Sequence, residues 1–387
     1  MSLAETANPP RSIFLTGATG FLGAFVLEQL LRRTDAAVHA LVRADDAETG
    51  MARLKSALDG FRIDAGEIEG RVVAVPGDLA KPLLGLPEPV FDQLAGQVDT
   101  VYHSGANVNF AYPYGALKPA NVDGTREVIR LCVRNRIKRL QYVSAVDAIV
   151  KQGMVRVSED DPLPETPMPH GYVQSKWAAE RIVRSAQDRG LPVTIYRPWL
   201  TGAHRETGVC HTTDYVLRLL RACLDVGIVP DYDEGFNITP VDYFADALVY
   251  ISLSEESVGG RYNLANSESA PLPVIYDWLA RYGYQLDILP FHVWRERLVH
   301  ELSPESPGYS VLPLIPEHPV APEARHPSID CRNALAAVAG TGISCDPLDE
   351  RLMHLELGYL NEVGFLNPPV NRAPAGVVSG AADAKGS

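Results

Sequence analysis

Cysteine is scarce in this chain of 387 residues. There are five, Cys132, Cys210, Cys223, Cys331 and Cys345, an odd number spread far apart, and no CxxC pair occurs. That argues against a disulfide framework and a zinc knuckle, and suits buried or free thiols in a reducing cytoplasm; no metal is expected. Long apolar runs are missing too. Residues 1–11 hold no apolar signal core and no later stretch is long enough to span a bilayer, so the expectation is a soluble, cytoplasmic protein without a membrane partner. Positive charge is short, with 35 Lys and Arg against 48 Asp and Glu, a formal charge of −13. Nucleic-acid binding needs a basic surface to displace phosphate counterions, so that class of function is set aside.

What is present is enough for a large core. Hydrophobic residues make up 46% and charged residues 21%, a globular composition. Ser12–Thr16 reads SIFLT, a short apolar run before a glycine-rich turn, as in a buried parallel strand. Residues 21–33 follow with Leu22, Phe25, Val26, Leu30 and Leu31 at helical spacing. Further strands are expected at 38–42, 72–76, 100–103, 139–144 and 193–197, with helical patterns between most of them. This alternation predicts an α/β fold, a Rossmann-type doubly wound parallel sheet with helices on both faces.

The alternation weakens after about Gly208. Helices are expected at 214–226, 240–253, 273–282 and 291–302, and a strand at 261–264 that returns to the sheet. Prolines at 304, 307, 313, 316, 319, 322 and 327 predict that no regular element survives over 303–327. A last helix should run to about Phe365, with Asp346 as N-cap and Pro347 as its first residue. The expected organisation is an N-terminal extension (1–11), a nucleotide-binding domain (12–207), a smaller, mainly helical substrate lobe (208–366) and a flexible tail (367–387).

Gly17-Ala-Thr-Gly20-Phe-Leu-Gly23 lies between the first strand and the first helix. Gly17 permits a tight turn, Gly20 lets backbone approach a pyrophosphate, and Gly23 lets helix and strand pack closely. The helix N-terminus then offers free N–H groups to the phosphates. Arg43 closes the second strand 20 residues after Gly23. An acidic residue there would hold the ribose of NAD, whereas Arg suits the 2′-phosphate of NADP. Arg53 would add a second charge; for both, a solvated surface arginine is the plainer alternative. Asp78, in Gly77-Asp78-Leu79, lies where an adenine amino group would be met, or caps a helix. Small residues after the fourth strand, Ser104-Gly105-Ala106-Asn107, suit backbone lying against a nucleotide.

Tyr172-Val-Gln-Ser-Lys176 opens a predicted helix, and i, i+4 spacing puts phenol and ammonium on one face. A lysine near a tyrosine stabilises the phenolate and lowers the phenol's pKa, giving a proton donor for a carbonyl oxygen.

At these residues the chain resembles the extended short-chain dehydrogenases. It is most similar to the thioester reductase domains that end nonribosomal peptide synthetases, polyketide synthases and carboxylic acid reductases. The motifs are TGATGFLG, LVRAD, GDL, HSGANVNF, the turn at Asn121–Thr125, GYVQSKWAAE, YRP, ITPVDY and GFLNPP. The resemblance implies NADPH, a substrate held as a phosphopantetheine thioester on a carrier protein, and release as an aldehyde or alcohol. It implies Tyr172 as proton donor, with Lys176 tuning it and holding the nicotinamide ribose. Cofactor contacts are expected at Gly17, Thr19, Gly20, Phe21, Leu22 and Gly23, and at Arg43, Arg53, Asp78 and Leu79. They are expected further at Ser104, Gly105, Ala106, Asn107, Asn121 and Val143, at Tyr172 and Lys176, and at Tyr196, Pro198 and Leu200. A monomer is the expected state.

Two positions depart from the family. Ala145 stands where a Thr or Ser usually completes the catalytic set, and Trp199 stands after Arg197-Pro198 where Gly is usual. Ser144 is adjacent, but strand neighbours point to opposite faces, so it stands in only if the strand has ended or bulged. Three readings follow: reduction with Tyr172 as sole donor, a redox-silent release domain working by Dieckmann-type cyclisation, and a non-catalytic NADPH-binding scaffold. Arg126, Arg130, Arg134, Arg136, Lys138 and Arg139 form a basic cluster. It is either a docking patch for an acidic carrier protein or a solvated helix face.

Overall fold

Ile13 and Leu15 face one side of the strand Ser12–Thr16 (β1) and Phe14 the other, and all three are fully buried. Side chains alternate along a strand, so a strand buried on both faces needs an apolar layer on each side. Two such layers are present. Ile13 and Leu15 join the cores of Leu27, Leu30, Phe244 and Leu248, while Phe14 joins Phe91, Leu94, Leu131 and Val183. The computed structural model describes residues 9–64, 66, 70–232, 235–318 and 327–369. Residues 1–8 of the N-terminal extension, 319–326 of the proline-rich stretch and 370–387 of the tail lie outside the described residues.

β1 is joined in the main sheet by Ala37–Val42 (β2), Val72–Pro76 (β3), Thr100–His103 (β4), Arg139–Val143 (β5), Val193–Pro198 (β6) and Arg261–Leu264 (β7). The order is β7-β6-β5-β4-β1-β2-β3, and every neighbouring pair is parallel. The winding reverses between β1 and β4, so a crevice opens beyond the C-terminal ends of those two strands, where doubly wound sheets bind ligands. Helices Phe21–Arg33 (α1), Ala47–Gly60 (α2), Glu88–Gln97 (α3), Gly124–Val133 (α4) and Gly171–Asp188 (α5) cover the sheet.

Tyr215–Val226 (α6) begins at Asp214, whose carboxylate accepts from the Val216 N–H (2.8 Å), and stops at Gly227 in the left-handed region (φ 78°). Val241–Ser252 (α7) packs on α1, with Arg33 paired to Asp246. Leu272–Tyr282 (α8) and Phe291–Glu301 (α9) follow. A small separate core of Cys223, Ile228, Val229, Trp294, Leu298 and Leu302 holds α6, α9 and the strand pair Ile228–Asp231 with Asp287–Pro290.

Two expectations are corrected. Pro307–Leu314 is a 3₁₀ stretch rather than irregular chain. Pro307 sits at its first position, where the missing N–H costs nothing, and Ser306 accepts from the Gly308 N–H (3.1 Å). The last helix, Glu350–Glu362 (α10), is capped by Asp349, whose carboxylate accepts from the Leu352 N–H (2.8 Å). Asp346 instead lies outside the helix, where its carbonyl accepts from the Asn266 amide (3.1 Å).

Candidate active site

The turn after β1 meets the turn after β4. Gly17 is left-handed (φ 84°), and a Cβ on it would lie 2.7 Å from the Gly105 nitrogen. Gly20 is exposed at the N-cap of α1, with no side chain capping the helix and no acidic residue in its first turn. The first N–H groups of α1 therefore face an anion site without a competing carboxylate. Ser104 Oγ, at the same crevice, is buried with no partner. A cradle too narrow for a Cβ, open helix N–H groups and an orphaned hydroxyl together fit a dinucleotide. Thr19 and Leu22 are half-buried, while the Phe21 ring stacks on His211 (5.8 Å), leaving its backbone to face a phosphate.

Arg43 lies exposed just past the end of β2, and the Arg53 guanidinium donates to its carbonyl oxygen, so both charges gather at this strand end. Asp78 accepts from the Ala80 N–H (2.9 Å), an Asx turn rather than a helix cap. Leu79 lies so close to Gly105 that a Cβ there would come within 2.7 Å of its side chain.

A hydrogen-bonded chain behind the crevice joins these turns to α5. The Gly105 N–H donates to Thr16 Oγ1 (3.0 Å), which contacts His103 Nδ1 (2.8 Å). Thr125 gives its proton to the Asn121 carbonyl (2.6 Å), so His103 Nε2–H must donate to Thr125 Oγ1 (3.0 Å), and Thr16 donates to Nδ1. Burial, then the charge of Lys176, push His103 down to about 3, so the ring is neutral. Asn121 holds Asn107 through both backbone groups (2.6 and 3.0 Å) and donates to Ser175 (2.9 Å), which donates to the Tyr172 carbonyl (2.7 Å). Ala106 is half-buried within this loop. The sequence marks Asn121 only as a cofactor contact and does not reveal the His103 relay. A polar residue at the end of an otherwise apolar strand is its one signal.

Tyr172 and Lys176 share the buried face of α5. The Lys176 ammonium donates to the Val143 carbonyl (2.8 Å) and lies 5.2 Å from the Tyr142 ring centroid. Burial lowers it to about 8, opposed by Glu180. The Tyr172 phenol is raised well above its usual range by burial and then by the charges of Asp147 and Asp214. The phenol thus shifts upward in this arrangement, in which the Lys176 ammonium bonds to the Val143 carbonyl. Phe110 packs on Tyr172 (5.1 Å between centroids).

Two other expectations are corrected. β5 ends at Val143, and the Ser144 hydroxyl donates to the buried Glu180 carboxylate (2.5 Å), so its proton is not free for a substrate. Tyr196 is fully buried, stacked on Tyr262 (5.8 Å), and its hydroxyl donates to Gln141 (2.9 Å), so its side chain cannot reach a cofactor. The basic cluster is ion-paired, while Arg126, Arg130, Arg134 and Arg136 stay 44–57% exposed. Arg126 pairs with Asp123, Arg130 with Glu127, Arg134 with Asp92, Arg136 with Asp99 and Arg139 with Glu255. Lys138 is buried against the carbonyls of Arg134 and Arg136.

Pro198 is buried at the end of β6, and Trp199 is half-buried against the main core. Leu200, Thr201, Asp214, Leu217, Phe236 and Glu356 line a small, partly open cleft. Burial raises Glu356 to about 7, against the Cys210 hydrogen bond that lowers it. All five cysteines are free. Among the described residues, no helix is long and apolar enough to cross a membrane and no group of side chains is placed to hold a metal ion.

Strand order, glycine turn and the Tyr172–Lys176 pair define an extended short-chain dehydrogenase that takes a nicotinamide cofactor. Residues 15–248 match the NAD-binding family described as Male sterility protein. A linear gramicidin synthase of Brevibacillus parabrevis is 40% identical over 74% of this chain and 6% of its own length. Isonitrile lipopeptide synthase of Streptomyces coeruleorubidus is 34% identical over 95% of this chain and 26% of its own. The chain thus spans a small part of these relatives. The crystal structure of the terminal R domain from the myxalamid PKS-NRPS biosynthetic pathway superposes with a TM-score of 0.88 at 40% identity, covering 94% of this chain and 93% of that one. The reductase domain of a nonribosomal peptide synthetase from Mycobacterium tuberculosis gives 0.78 at 28%, covering 94% and 96%. The chain belongs to this family, in its branch of terminal reductase domains.

Proposed function

We propose that the chain is an NADPH-dependent thioester reductase that releases an acyl or peptidyl chain from the phosphopantetheine arm of a carrier protein, as an aldehyde or alcohol. The observation that carries this reading is the buried Tyr172–Lys176 pair beside a glycine cradle that a Cβ would fill. Residues 12–207 are proposed to bind the nucleotide and 208–366 to cover the thioester. Five free thiols suit a reducing cytoplasm. Arg43 and Arg53 at the end of β2 favour the 2′-phosphate of NADPH over the bare ribose of NADH.

Bound across the crevice, NADPH would supply the hydride. Helix α1 would hold the pyrophosphate by its first N–H groups. Lys176 keeps two N–H groups beyond the one given to Val143, enough for ribose hydroxyls. Tyr172 is protonated at neutral pH in this fold, so it carries a proton that a developing oxyanion would take. Its hydroxyl proton passes to the substrate carbonyl oxygen; loss of the carrier thiol from the reduced carbon then leaves the aldehyde. Phe110 packs against the Tyr172 ring and shields that side of it.

Ala145 raises one second reading, release by carbon–carbon cyclisation without redox chemistry. Such an enzyme would have no use for the Tyr172–Lys176 pair or for two arginines at the end of β2. The test is turnover with NADPH and an N-acetylcysteamine acyl thioester, with identification of product. Stoichiometric NADPH oxidation and an aldehyde or alcohol support reduction. Release of a cyclised product without nucleotide would overturn it.

A further inference from the structure

Glu180 lies one helical turn after Lys176 on α5 and is fully buried. Five hydrogen bonds converge on its two oxygens. Arg197 donates through Nε (3.2 Å) and Nη2 (2.8 Å), Arg184 through Nε (2.9 Å) and Nη2 (2.7 Å), and Ser144 through Oγ (2.5 Å). Arg197 is itself fully buried on β6, and its Nη1 donates to the Glu159 carbonyl (2.9 Å). A carboxylate so deeply buried is kept only because charged partners surround it.

The backbone beyond β5 is gripped from both sides. Lys176 holds the Val143 carbonyl, Glu180 holds the next residue by the Ser144 hydroxyl, and the Ser144 N–H donates to the Tyr196 carbonyl (2.7 Å). Ala145, where the family's hydroxyl would stand, is the next residue. Glu180 from α5, Tyr142 from β5 and the neutral His103 from β4 act on Lys176, while Asp147 and Asp214 act on the neighbouring Tyr172. Among the described residues, Glu180 is the anion whose charge raises Lys176.

We infer that Glu180 is a positioning residue of the Tyr172–Lys176 site. It clamps the exit of β5 through Ser144 and supplies the negative charge that faces Lys176. Ser144 is then part of this clamp and not a donor to substrate. The inference rests on the proposal that Lys176 holds the cofactor ribose. Burial works against the Lys176 charge and Glu180 works for it. Without Glu180 the ammonium should lose its proton at lower pH, and its hold on the cofactor with it.

The test reads binding as well as turnover. NADPH is titrated by fluorescence from pH 6 to pH 10 into the full chain and its Glu180→Gln, Ser144→Ala and Ser144→Thr variants. In the unmutated protein, affinity should fall as pH rises through the Lys176 transition. In Glu180→Gln that midpoint should move down by about one pH unit or more. Ser144→Ala should move it in the same direction by less, and Ser144→Thr, which keeps the hydroxyl, should restore it. Glu180→Gln leaves Arg184 and Arg197 without their anion and risks misfolding; the Ser144 pair, which leaves every charge in place, then carries the test. An unmoved midpoint in the folded variants overturns the inference. So does a hundredfold loss of turnover in Ser144→Ala with an unchanged binding profile, because Ser144 would then act on substrate. If the protein binds NADPH but reduces no acyl thioester, the proposed reduction fails while the binding profile still reads Glu180. A protein that binds neither NADPH nor NADH overturns the inference with its premise.

Discussion

Gly23 and Gly17 meet backbone to backbone: a Cβ on Gly23 would lie 2.0 Å from the Gly17 carbonyl oxygen. No side-chain rotation relieves that contact, because both partners are main chain. Gly23→Ala must push α1 away from β1 and open the phosphate cradle. Overpacking of this kind typically costs about 1–3 kcal/mol. The expected outcome is a lower urea midpoint and at least tenfold weaker NADPH binding. Unchanged affinity would show that the cradle does not receive the pyrophosphate.

Arg43→Ala should weaken NADPH and leave NADH nearly unchanged, since only NADPH carries the 2′-phosphate. A charge-assisted contact is worth about 1.5–3 kcal/mol, roughly ten- to hundredfold in Kd. Titration calorimetry with both cofactors checks this. Equal affinity for NADPH and NADH in the unmutated protein would sink it.

Tyr172→Phe should abolish reduction while NADPH binding stays intact. The ring keeps its packing on Phe110 and only the proton donor is lost. Near-normal turnover of an acyl thioester by this variant would remove Tyr172 from the proposed chemistry.

Ala145 is extended (φ −153°, ψ 149°) and 4% exposed, just past the end of β5. A hydroxyl there would add a donor for the oxyanion, worth about ten- to hundredfold in turnover. Because the site is tight, Ala145→Ser should be tolerated better than Ala145→Thr, whose extra methyl must also be packed. The gain should appear in kcat more than KM, as the oxyanion exists only in the transition state. Folded variants that bind NADPH but gain nothing would shift weight to the redox-silent reading.

His103 makes stability pH-dependent in a definite direction. Its native pKa, about 3, lies below the ordinary histidine value of 6.5, so the unfolded chain takes up a proton between these values and the native fold does not. Stability from this group is complete above about pH 6.5 and is lost as pH falls toward 3, on the order of a few kcal/mol in all. His103→Gln should be less stable at pH 7, because the relay is broken, and should lose less on going to pH 4.5. Parallel thermal unfolding curves for the two proteins across that range would refute the assignment.

Much of the sheet is legible in the sequence. Short apolar runs between turn residues locate all seven strands within a residue or so, because burial on both faces writes itself into composition. The glycine turn is legible for the same local reason. Asp346 and Asp349 both precede helical pattern and look alike as caps; the tie from Asn266 that holds Asp346 outside the helix comes from a distant part of the chain. Spacing puts Tyr172 and Lys176 on one face but cannot say that the ammonium reaches Val143 instead of the phenol. The Glu180–Arg197 pair joins a helix to a strand, so no periodicity announces it. The C-terminal part of the basic run looks unopposed because Asp92, Asp99 and Glu255, the partners of Arg134, Arg136 and Arg139, belong to other segments.

β7 has a consequence for how small a working piece of this chain can be. It pairs along β6, and Asn263 within it is held by Glu159, a buried carboxylate that also accepts from the N–H groups of Asn333 and Ala334 (2.5 and 3.0 Å). A polypeptide cut at residue 248, where the family match ends, would lack all three donors. It would leave Glu159 uncompensated and β6 with an open hydrogen-bonding edge, the kind of edge that recruits other chains. The same dependence holds during synthesis: β6 gains its outer partner only after Leu264 has emerged, and Glu159 its last two donors only after Ala334. The shortest autonomous fragment therefore extends well beyond the nucleotide crevice.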